Sequence, residues 1–523
     1  MTSLVDHLTQ SVDWAVVAPP VITAVTAVAV LVADLFLPVA RKRLLGPLAL
    51  TGLALAALSL IPLRHGDRVT FCLADGPGAC SYAADRFAVL IQLLVLGGAL
   101  LTALLSLPET DPRSGDRALP GGEYWFLLLS SVTGAVLLPA SRDLATLIIA
   151  LEVTTLPTYA LVALRREPRG KGDSAEAAFK YFLTSVAATA VGLLGVSFVY
   201  AASGSLRLGE ISGGLSAAEP RLATLADAGV ALTLVGFAFK AAAVPFHFWV
   251  PETYLGAPLP VAAYLSVVGK SAGLAGLVVL TTRGFPDHGH LWGPAVAVLA
   301  GLTMTVGNAA ALRATEDAPG GAVRLLAWSS VGQAGYLLVP VAAGAYVGAD
   351  EAMGTLLAYA LMYAAVNLGA FGVAAYVGRR SPGQRLADYR GLWARRPLAA
   401  LALGFFLLCL AGLPPGVIGL FAKVAVFRTA VDAGLGVLAV VMALNVAVAL
   451  YYYLRWAALL FRPAPEPVTP EPVTPEPAAV PSAGPAWRPG KPLAGAIGLA
   501  ALAGLALSGA PQLVLGFTTG SFL

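Results

Sequence analysis

Charge is scarce in this sequence. Only 12% of its 523 residues are Asp, Glu, Lys or Arg, against 58% hydrophobic, whereas a soluble domain carries about 25% charged residues. With a mean hydropathy of +0.79, this argues against the row of soluble domains that length alone would allow. Cysteine is scarcer still. Cys72, Cys80 and Cys409 are the whole complement, with no C-x-x-C and no cluster spacing, which argues against an iron–sulfur site on this chain. No G-x-G-x-x-G follows a strand, so no dinucleotide site is read. A net charge of +4 is no nucleic-acid signal. Of five histidines, only His247 lies near an apolar segment. The start, Met-Thr-Ser-Leu-Val-Asp-His, lacks the basic residues of a cleaved signal, so the first apolar stretch is expected to stay as a helix.

What is present is apolar length. Runs long enough to span a bilayer recur from end to end. They predict an all-α polytopic membrane protein of about 14 transmembrane helices, near 15–38, 44–63, 84–106, 122–139, 143–164, 177–202, 224–253, 258–281, 291–311, 322–343, 352–378, 398–428, 434–461 and 492–516. The seventh (Pro245, Pro251) and the twelfth (Pro414, Pro415) are longer than a bilayer needs and contain prolines. A central proline removes a backbone hydrogen bond and breaks the helix. In a membrane such a break is tolerated where protein or water satisfies the freed groups. A simple packing kink is the plainer alternative.

Loop charge sets the expected orientation. With the N-terminus outside, 21 Lys and Arg fall in inner loops and 8 in outer ones. An even number of spans then puts the C-terminus outside as well. Cys72 and Cys80 fall in an outer loop, an oxidising compartment where a disulfide can form; two free thiols are the alternative. Residues 463–490 are proline-rich, with E-P-V-T-P repeated. This composition predicts an extended inner spacer without a core. A proline-rich docking site is the alternative.

Charge at a bilayer centre costs about 2.5–3.5 kcal/mol per residue on insertion scales, yet this chain places several there. Glu152 lies in L-I-I-A-L-E-V-T-T-L, Lys240 in G-F-A-F-K-A-A-A-V-P, Lys270 in L-S-V-V-G-K-S-A-G and Lys423 in L-F-A-K-V-A-V-F. Burial disfavours the charged form, so a deep lysine can hold or release a proton, which arginine cannot do. A static Lys–Glu pair would neutralise one lysine only. Three lysines against one glutamate therefore point to proton relay. Lys180, in E-A-A-F-K-Y-F-L, stands near a helix end and can snorkel to the interface. His247 follows Lys240 beside the break and is either a relay or a structural hydrogen-bonding group. Ser329, Ser330, Gln333 and Tyr336 recur at helical spacing in W-S-S-V-G-Q-A-G-Y. They either order water between Lys270 and Lys423 or form ordinary interhelical hydrogen bonds. No metal or cofactor site is read on this chain.

These motifs resemble those of the antiporter-like membrane subunits of respiratory NADH–quinone oxidoreductase (complex I), closest to its subunit N, the counterpart of mitochondrial subunit 2. The resemblance runs from about residue 80 to 460. It rests on F-K-A-A-A-V-P-F-H-F-W-V-P-E-T-Y-L-G-A-P, R-L-L-A-W-S-S-V-G-Q-A-G-Y and L-A-G-L-P-P. It implies two inverted five-helix repeats, at 121–285 (helices 4–8) and 286–462 (helices 9–13). Residues 1–120 then hold helices 1–3, and 491–523 hold helix 14 beyond the linker. It implies that Glu152 pairs with Lys240 and that Lys270 and Lys423 continue the relay. Lys at position 423 argues against subunit M, where Glu is expected. The family pattern has His where Gln333 stands; Gln takes up no proton at neutral pH, so a relay there would need water. The implied function is proton translocation coupled to quinone reduction, in a bacterial plasma membrane. Flavin, iron–sulfur clusters and quinone are expected in partner subunits, with neighbouring membrane subunits and the lipid bilayer as partners and no nucleic acid. A subunit of a multi-subunit cation/proton antiporter shares the motifs, and a non-pumping membrane scaffold is the other alternative.

The linker reading makes the first prediction. Replacing 463–490 with a flexible linker that spans the same gap is expected to preserve assembly and proton pumping. Blue-native gels and vesicle acidification check this. Loss of assembly would point to docking, and loss of pumping in an assembled complex would contradict a relay confined to the helices.

Overall fold

The computed structural model describes residues 12–64, 66–72, 80–113, 118–165, 173–463 and 490–516. The proline-rich linker between 464 and 489 lies outside the described residues. Among the described residues, thirteen helical segments are long and apolar enough to cross a membrane. In chain order the helices begin with α1 (Trp14–Phe36), α2 (Leu45–Leu58), α3 (Arg86–Ser106), α4 (Gly121–Leu137), α5 (Leu144–Ala163), α6 (Asp173–Ser203), the short α7 (Leu208–Ser216) and α8 (Ala223–Lys240). There follow α9 (Trp249–Gly256), α10 (Leu259–Tyr264), α11 (Lys270–Val279), α12 (Gly289–Leu312), α13 (Gly321–Ala343) and α14 (Ala349–Gly378). The last are α15 (Leu392–Arg395), α16 (Pro397–Ala411), α17 (Val417–Asp432), α18 (Gly436–Leu459), α19 (Lys491–Gly509) and α20 (Gln512–Leu515).

Two expected spans are each two helices. The run expected as one helix over 224–253 stops at Lys240, turns through Ala242 at φ 61°, and restarts at Trp249. A right-handed helix cannot pass a positive φ. The run expected over 398–428 divides into α16 and α17 around Gly412, at φ 86°. The two halves pack side by side: a Cβ on Gly419 would meet the Cys409 carbonyl oxygen at 1.8 Å. The eighth span, Leu259–Gly284, is not uniformly α-helical. It widens into π-helical turns at Leu265–Gly269 and Leu280–Gly284. The helix α7 was not anticipated, because nine residues of mixed polarity carry no spanning signal.

Connections fall on two opposite faces. On one, β1 (Arg68–Cys72) and β2 (Cys80–Ala84) form an antiparallel hairpin with Cys72 and Cys80 joined as a disulfide. Beside it Asp85 accepts from Arg142 at 2.5 Å and Arg283 at 2.7 Å. Arg142 also donates to the carbonyls of Pro139, Ser141 and Ala83. A buried charge needs this degree of satisfaction. Aspartates cap three helices that start from this face: Asp13 accepts from Ala15 N at 3.1 Å, Asp85 from Ala88 N at 2.8 Å and Asp143 from Thr146 N at 2.7 Å. Each fills a donor left open by the first turn and sits at the positive end of the helix dipole. The opposite face, across the length of α12, gathers Glu316 with Arg390, with Arg455 at 3.5 Å and with Arg462 at 3.9 Å. Arg390 beside Glu316 holds its carboxyl below the usual carboxylate range. The pairs Asp34–Lys42 and Glu109–Arg379 belong to this face too.

Close helix pairs rest on glycine. A Cβ on Gly307 of α12 would lie 2.3 Å from Gly332 N of α13, and one on Gly195 of α6 would lie 2.3 Å from Thr233 N of α8. Lipid is as apolar as leucine, so close backbone packing carries much of the association. Gly307→Val is therefore expected to cost about 2–3 kcal/mol through overpacking. Gly97→Ala, with open space around the added Cβ, should be tolerated. Yield and thermal unfolding of the purified protein compare the two.

Candidate functional site

Lys240 closes α8 and is 5% exposed. Its Nζ lies 5.3 Å from the ring centroid of Phe239 and 5.9 Å from those of Tyr159 and Tyr181. Ring faces attract a cation without a counter-charge. Its ammonium donates to the Ser185 hydroxyl, which also accepts from Tyr159. The cage comes from three segments, because α5 and α6 pack beside α8. Below it Thr154, Thr155, Thr158, Tyr181, Lys240 and Gly269 line a cavity of about 10 Å³, about the space of one water.

Glu152 of α5 does not contact Lys240. It is half-buried and accepts from Thr189 Oγ1 at 2.6 Å. The direct pair implied by the family resemblance is thus absent from this arrangement, since the ammonium turns to Ser185 and the aromatic cage instead.

Lys270 follows the π-helical turn at Leu265–Gly269 and is 1% exposed. Its Nζ donates to the Ser330 carbonyl at 2.6 Å and to Ser330 Oγ at 2.8 Å. The extra residue of a π turn shifts the register of the side chains beyond it, and such turns are frequent at functional sites. Helix α11 also comes close to Lys240: a Cβ on Gly273 would lie 2.8 Å from Lys240 Cβ. The first two deep lysines therefore sit on helices in backbone contact.

Lys423 reaches back across the break in the twelfth span. Its Nζ donates to the carbonyls of Leu410 at 2.7 Å and Ala411 at 2.9 Å. These are last-turn carbonyls of α16, which a helix end leaves open and which form the negative end of its dipole. Tyr336 lies with its ring centroid 5.6 Å from the same Nζ. Lys240 precedes its break and Lys423 follows its own, so the sequence shows no symmetry here. In space, however, both lysines stand beside the end of a first half-helix.

A hydrogen-bonded polar cluster is built on α13, the helix whose Ser330 holds Lys270 and whose Tyr336 ring faces Lys423. Ser329 Oγ and Tyr453 OH are 2.5 Å apart, Gln333 Nε2 donates to Tyr453 OH at 3.1 Å, and Tyr359 OH donates to Gln333 Oε1 at 2.5 Å. The Tyr359 and Tyr336 rings are 6.0 Å apart. A branch leaves through Tyr452, Asn308 and Asn445 to Thr305. On α13, Ser330 thus contacts Lys270, the Tyr336 ring faces Lys423, and Ser329 and Gln333 meet at Tyr453. Tyr359, Tyr453, Tyr452, Asn308 and Asn445 were missed, because single polar residues in apolar runs read as packing. Only their meeting across 120 residues, as for Gln333 and Tyr453, distinguishes them.

Two candidates stand apart. Lys180 is half-exposed and pairs with Glu176 at 2.8 Å and Glu252 at 2.9 Å, outside the buried array. His247 lies in the break, half-buried, with its ring 5.5 Å from Trp328. Among the described residues no group of His, Cys, Asp or Glu is placed to hold a metal.

A bundle of membrane-spanning helices with two broken spans, each with a buried lysine beside the break, has the architecture of an antiporter-like membrane subunit. The family described as NADH:quinone oxidoreductase/Mrp antiporter matches residues 141–449. A Streptomyces griseus subsp. griseus protein named NADH-quinone oxidoreductase subunit N 2 is 65% identical over 512 residues, 98% of this chain and 94% of its own. The Salinispora tropica protein named NADH-quinone oxidoreductase subunit N is 45% identical over 476 residues, 88% of each chain. A chain in the structure of respiratory complex I from Thermus thermophilus with bound aureothin is 33% identical. It aligns with a TM-score of 0.70 over 95% of this chain and 98% of its own. A chain of the Mrp complex from Dietzia sp. DQ12-45-1b shares the fold at a TM-score of 0.78 and 24% identity, over 96% of each. The chain belongs to the NADH:quinone oxidoreductase/Mrp antiporter family of membrane proteins.

The broken twelfth span makes a test of the geometry. Gly419→Ala would drive a methyl into the Cys409 carbonyl and push α17 away from α16. Lys423 is then expected to lose the Leu410 and Ala411 carbonyls. Thermal unfolding should fall by an amount corresponding to roughly 2 kcal/mol, whereas Gly436→Ala, with nothing near its added Cβ, should behave as wild type.

Proposed function

We propose that this chain is subunit N of an NADH–quinone oxidoreductase and that it carries protons through Glu152, Lys240, Lys270 and Lys423. One observation supports this most: none of the three buried lysines is held in a direct ion pair, yet each is held by hydroxyls, carbonyls or ring faces. A fixed structural cation would be expected to have a carboxylate in contact. These dipolar partners tolerate a lysine in either protonation state.

In this reading the two broken spans organise two half-channels, in segments 121–285 and 286–462. Lys240 gains or loses a proton as charge near Glu152 changes, and the cavity beside it hands the proton toward Lys270. Ser330, Gln333 and Tyr336 belong to the link onward to Lys423. His247 lies at the side of this route, and Lys180 serves the exposed rim of α6. Flavin, iron–sulfur clusters and quinone act in partner subunits, and their redox work shifts the charge that this chain answers. The subunit N names of the relatives covering most of this chain favour this reading over a cation/proton antiporter subunit, and the retained lysines disfavour a non-pumping scaffold.

The chain would lie in the plasma membrane beside other membrane subunits, with both termini outside. The loop Lys and Arg bias supports that orientation. So does the Cys72–Cys80 disulfide, which suits an oxidising compartment.

Lys240→Ala is expected to leave the complex assembled and to lower NADH-driven proton pumping and coupled quinone reduction by about tenfold, the low end of a lost proton-transfer group. Glu152→Gln should be similar or milder, since its partner lysine can deprotonate. Dye quenching in everted vesicles, beside oxygen or quinone consumption, measures both. Pumping at the native proton-to-electron ratio in assembled Lys240→Ala complex would refute the assignment.

A further inference from the structure

Glu152 and Lys240 are held by the same side of one helix. Thr189 Oγ1 donates to Glu152 Oε1 at 2.6 Å, and Ser185 Oγ accepts from the Lys240 ammonium. Both hydroxyls belong to α6, and Ser185 and Thr189 stand at i and i+4. Such residues share one side of a helix, about 6 Å apart along its axis. The carboxylate and the ammonium are thus fastened about one helical turn apart. Neither reaches the other while both bonds hold.

The hydroxyls are themselves kept in place. Tyr159 of α5 also donates to Ser185 Oγ, so both acceptor sites of that oxygen are taken. Ser185 is fully buried. Helix α6 lies against α8 at Gly195, where a Cβ would come within 2.3 Å of Thr233 N. The helix that carries the hydroxyls therefore has little room to slide along the helix that carries Lys240.

Glu152 is the one acid set to act on this lysine. The titratable groups around Lys240 are Glu152 and Tyr159 of α5, Tyr181 of α6, His247 of the break and Lys270 of the adjoining α11. On α9, Glu252 is engaged with Lys180 at the rim. Phenols are neutral at physiological pH, and Lys270 and His247 carry no negative charge. An opposite charge brought into contact favours the charged form of a lysine, and only Glu152 can supply one here.

We propose that Ser185 and Thr189 are positioning residues that keep Glu152 and Lys240 out of direct contact, and that this spacing leaves Lys240 able to release its proton. This rests on the proton-transfer reading of Lys240. Neither hydroxyl carries the proton. Without Ser185 the ammonium has no partner on α6 and turns to the carboxylate. Without the Thr189 hydroxyl the carboxylate is free to meet the ammonium. Either closure makes a contact ion pair, in which the lysine keeps its proton to a higher pH.

The assembled complex in everted vesicles tests this, with NADH-driven proton uptake followed from pH 6 to 9. Ser185→Ala is expected to raise the pH at which uptake reaches half its maximum by about one unit, the low end for an opposite charge brought close. Uptake then falls near neutral pH and recovers above it. Ser185→Thr keeps the hydroxyl and should restore the native profile. In a Glu152→Gln background, Ser185→Ala should add no shift, because the amide has no charge to offer. Lost packing alone would lower uptake at every pH and move no profile. An unshifted profile in assembled Ser185→Ala complex overturns the proposal, and so does a shift that persists in the Glu152→Gln background. If Ser185→Ala fails to assemble, the isosteric Thr189→Val decides from the carboxylate end: the same upward shift supports the spacing and an unshifted profile overturns it. Lys240→Ala run alongside separates the two levels. Native pumping there overturns the transport reading itself. Impaired pumping there with an unshifted Ser185→Ala or Thr189→Val profile overturns the spacing alone.

Discussion

A carbonyl or amide freed inside hydrocarbon has no water to bond, so every break in a spanning helix must be repaired from within the protein. That constraint organises this molecule. At the first break Trp249 Nε1 donates to the Phe239 carbonyl, and Val244 N finds Thr303 Oγ1 on a neighbouring helix. At the second the repair is made by a lysine, Lys423, on the carbonyls of Leu410 and Ala411. The same groups that make the break tolerable make the lysine tolerable. A cation beside a helix C-terminus is favoured by the dipole, and the carbonyls lose their desolvation penalty when it donates to them.

In the proposed reading, function follows from the kind of partner used. A carboxylate in contact would fix a lysine in its charged state. Carbonyls, hydroxyls and aromatic faces hold it more weakly, and a remote charge can then decide whether the proton stays. The distance between Glu152 and the Lys240 ammonium has meaning in these terms. With Thr189 on the glutamate and Ser185 on the lysine, the two act on each other through the field rather than through a shared hydrogen bond. Rigid helices hold the array: α11 touches the backbone of Lys240 at Gly273, and α12 touches α13 at Gly307.

Much of this was legible in the sequence. Apolar length gave the spans, and Pro245 and the Pro414–Pro415 pair marked the two interrupted ones. The four deep charges stood out because hydrocarbon penalises them so heavily. Other features left no mark. The π turn before Lys270 has no composition of its own, since Leu265–Gly269 reads as ordinary apolar helix. Tyr159, Tyr181 and Phe239 read as core aromatics until their rings are seen around one ammonium. Tyr453 and Tyr359 meet Gln333 across long stretches of chain, and no local period carries that information. Lys180 was already set apart by its place near a helix end, and Glu176 one helical turn before it and Glu252 on α9 hold it at the rim.

The central claim is that the deep lysines work by exchanging protons, not by being charged. Lys423→Arg separates the two properties. Arginine keeps the positive charge and can still donate to the Leu410 and Ala411 carbonyls, but it does not release its proton at any physiological pH. Proton uptake per NADH oxidised, measured in everted vesicles with the assembled variant complex, is the direct readout. The account predicts an assembled complex whose proton-to-electron ratio falls below that of the native complex. A native ratio with arginine at position 423 would mean that charge alone suffices, and would contradict it.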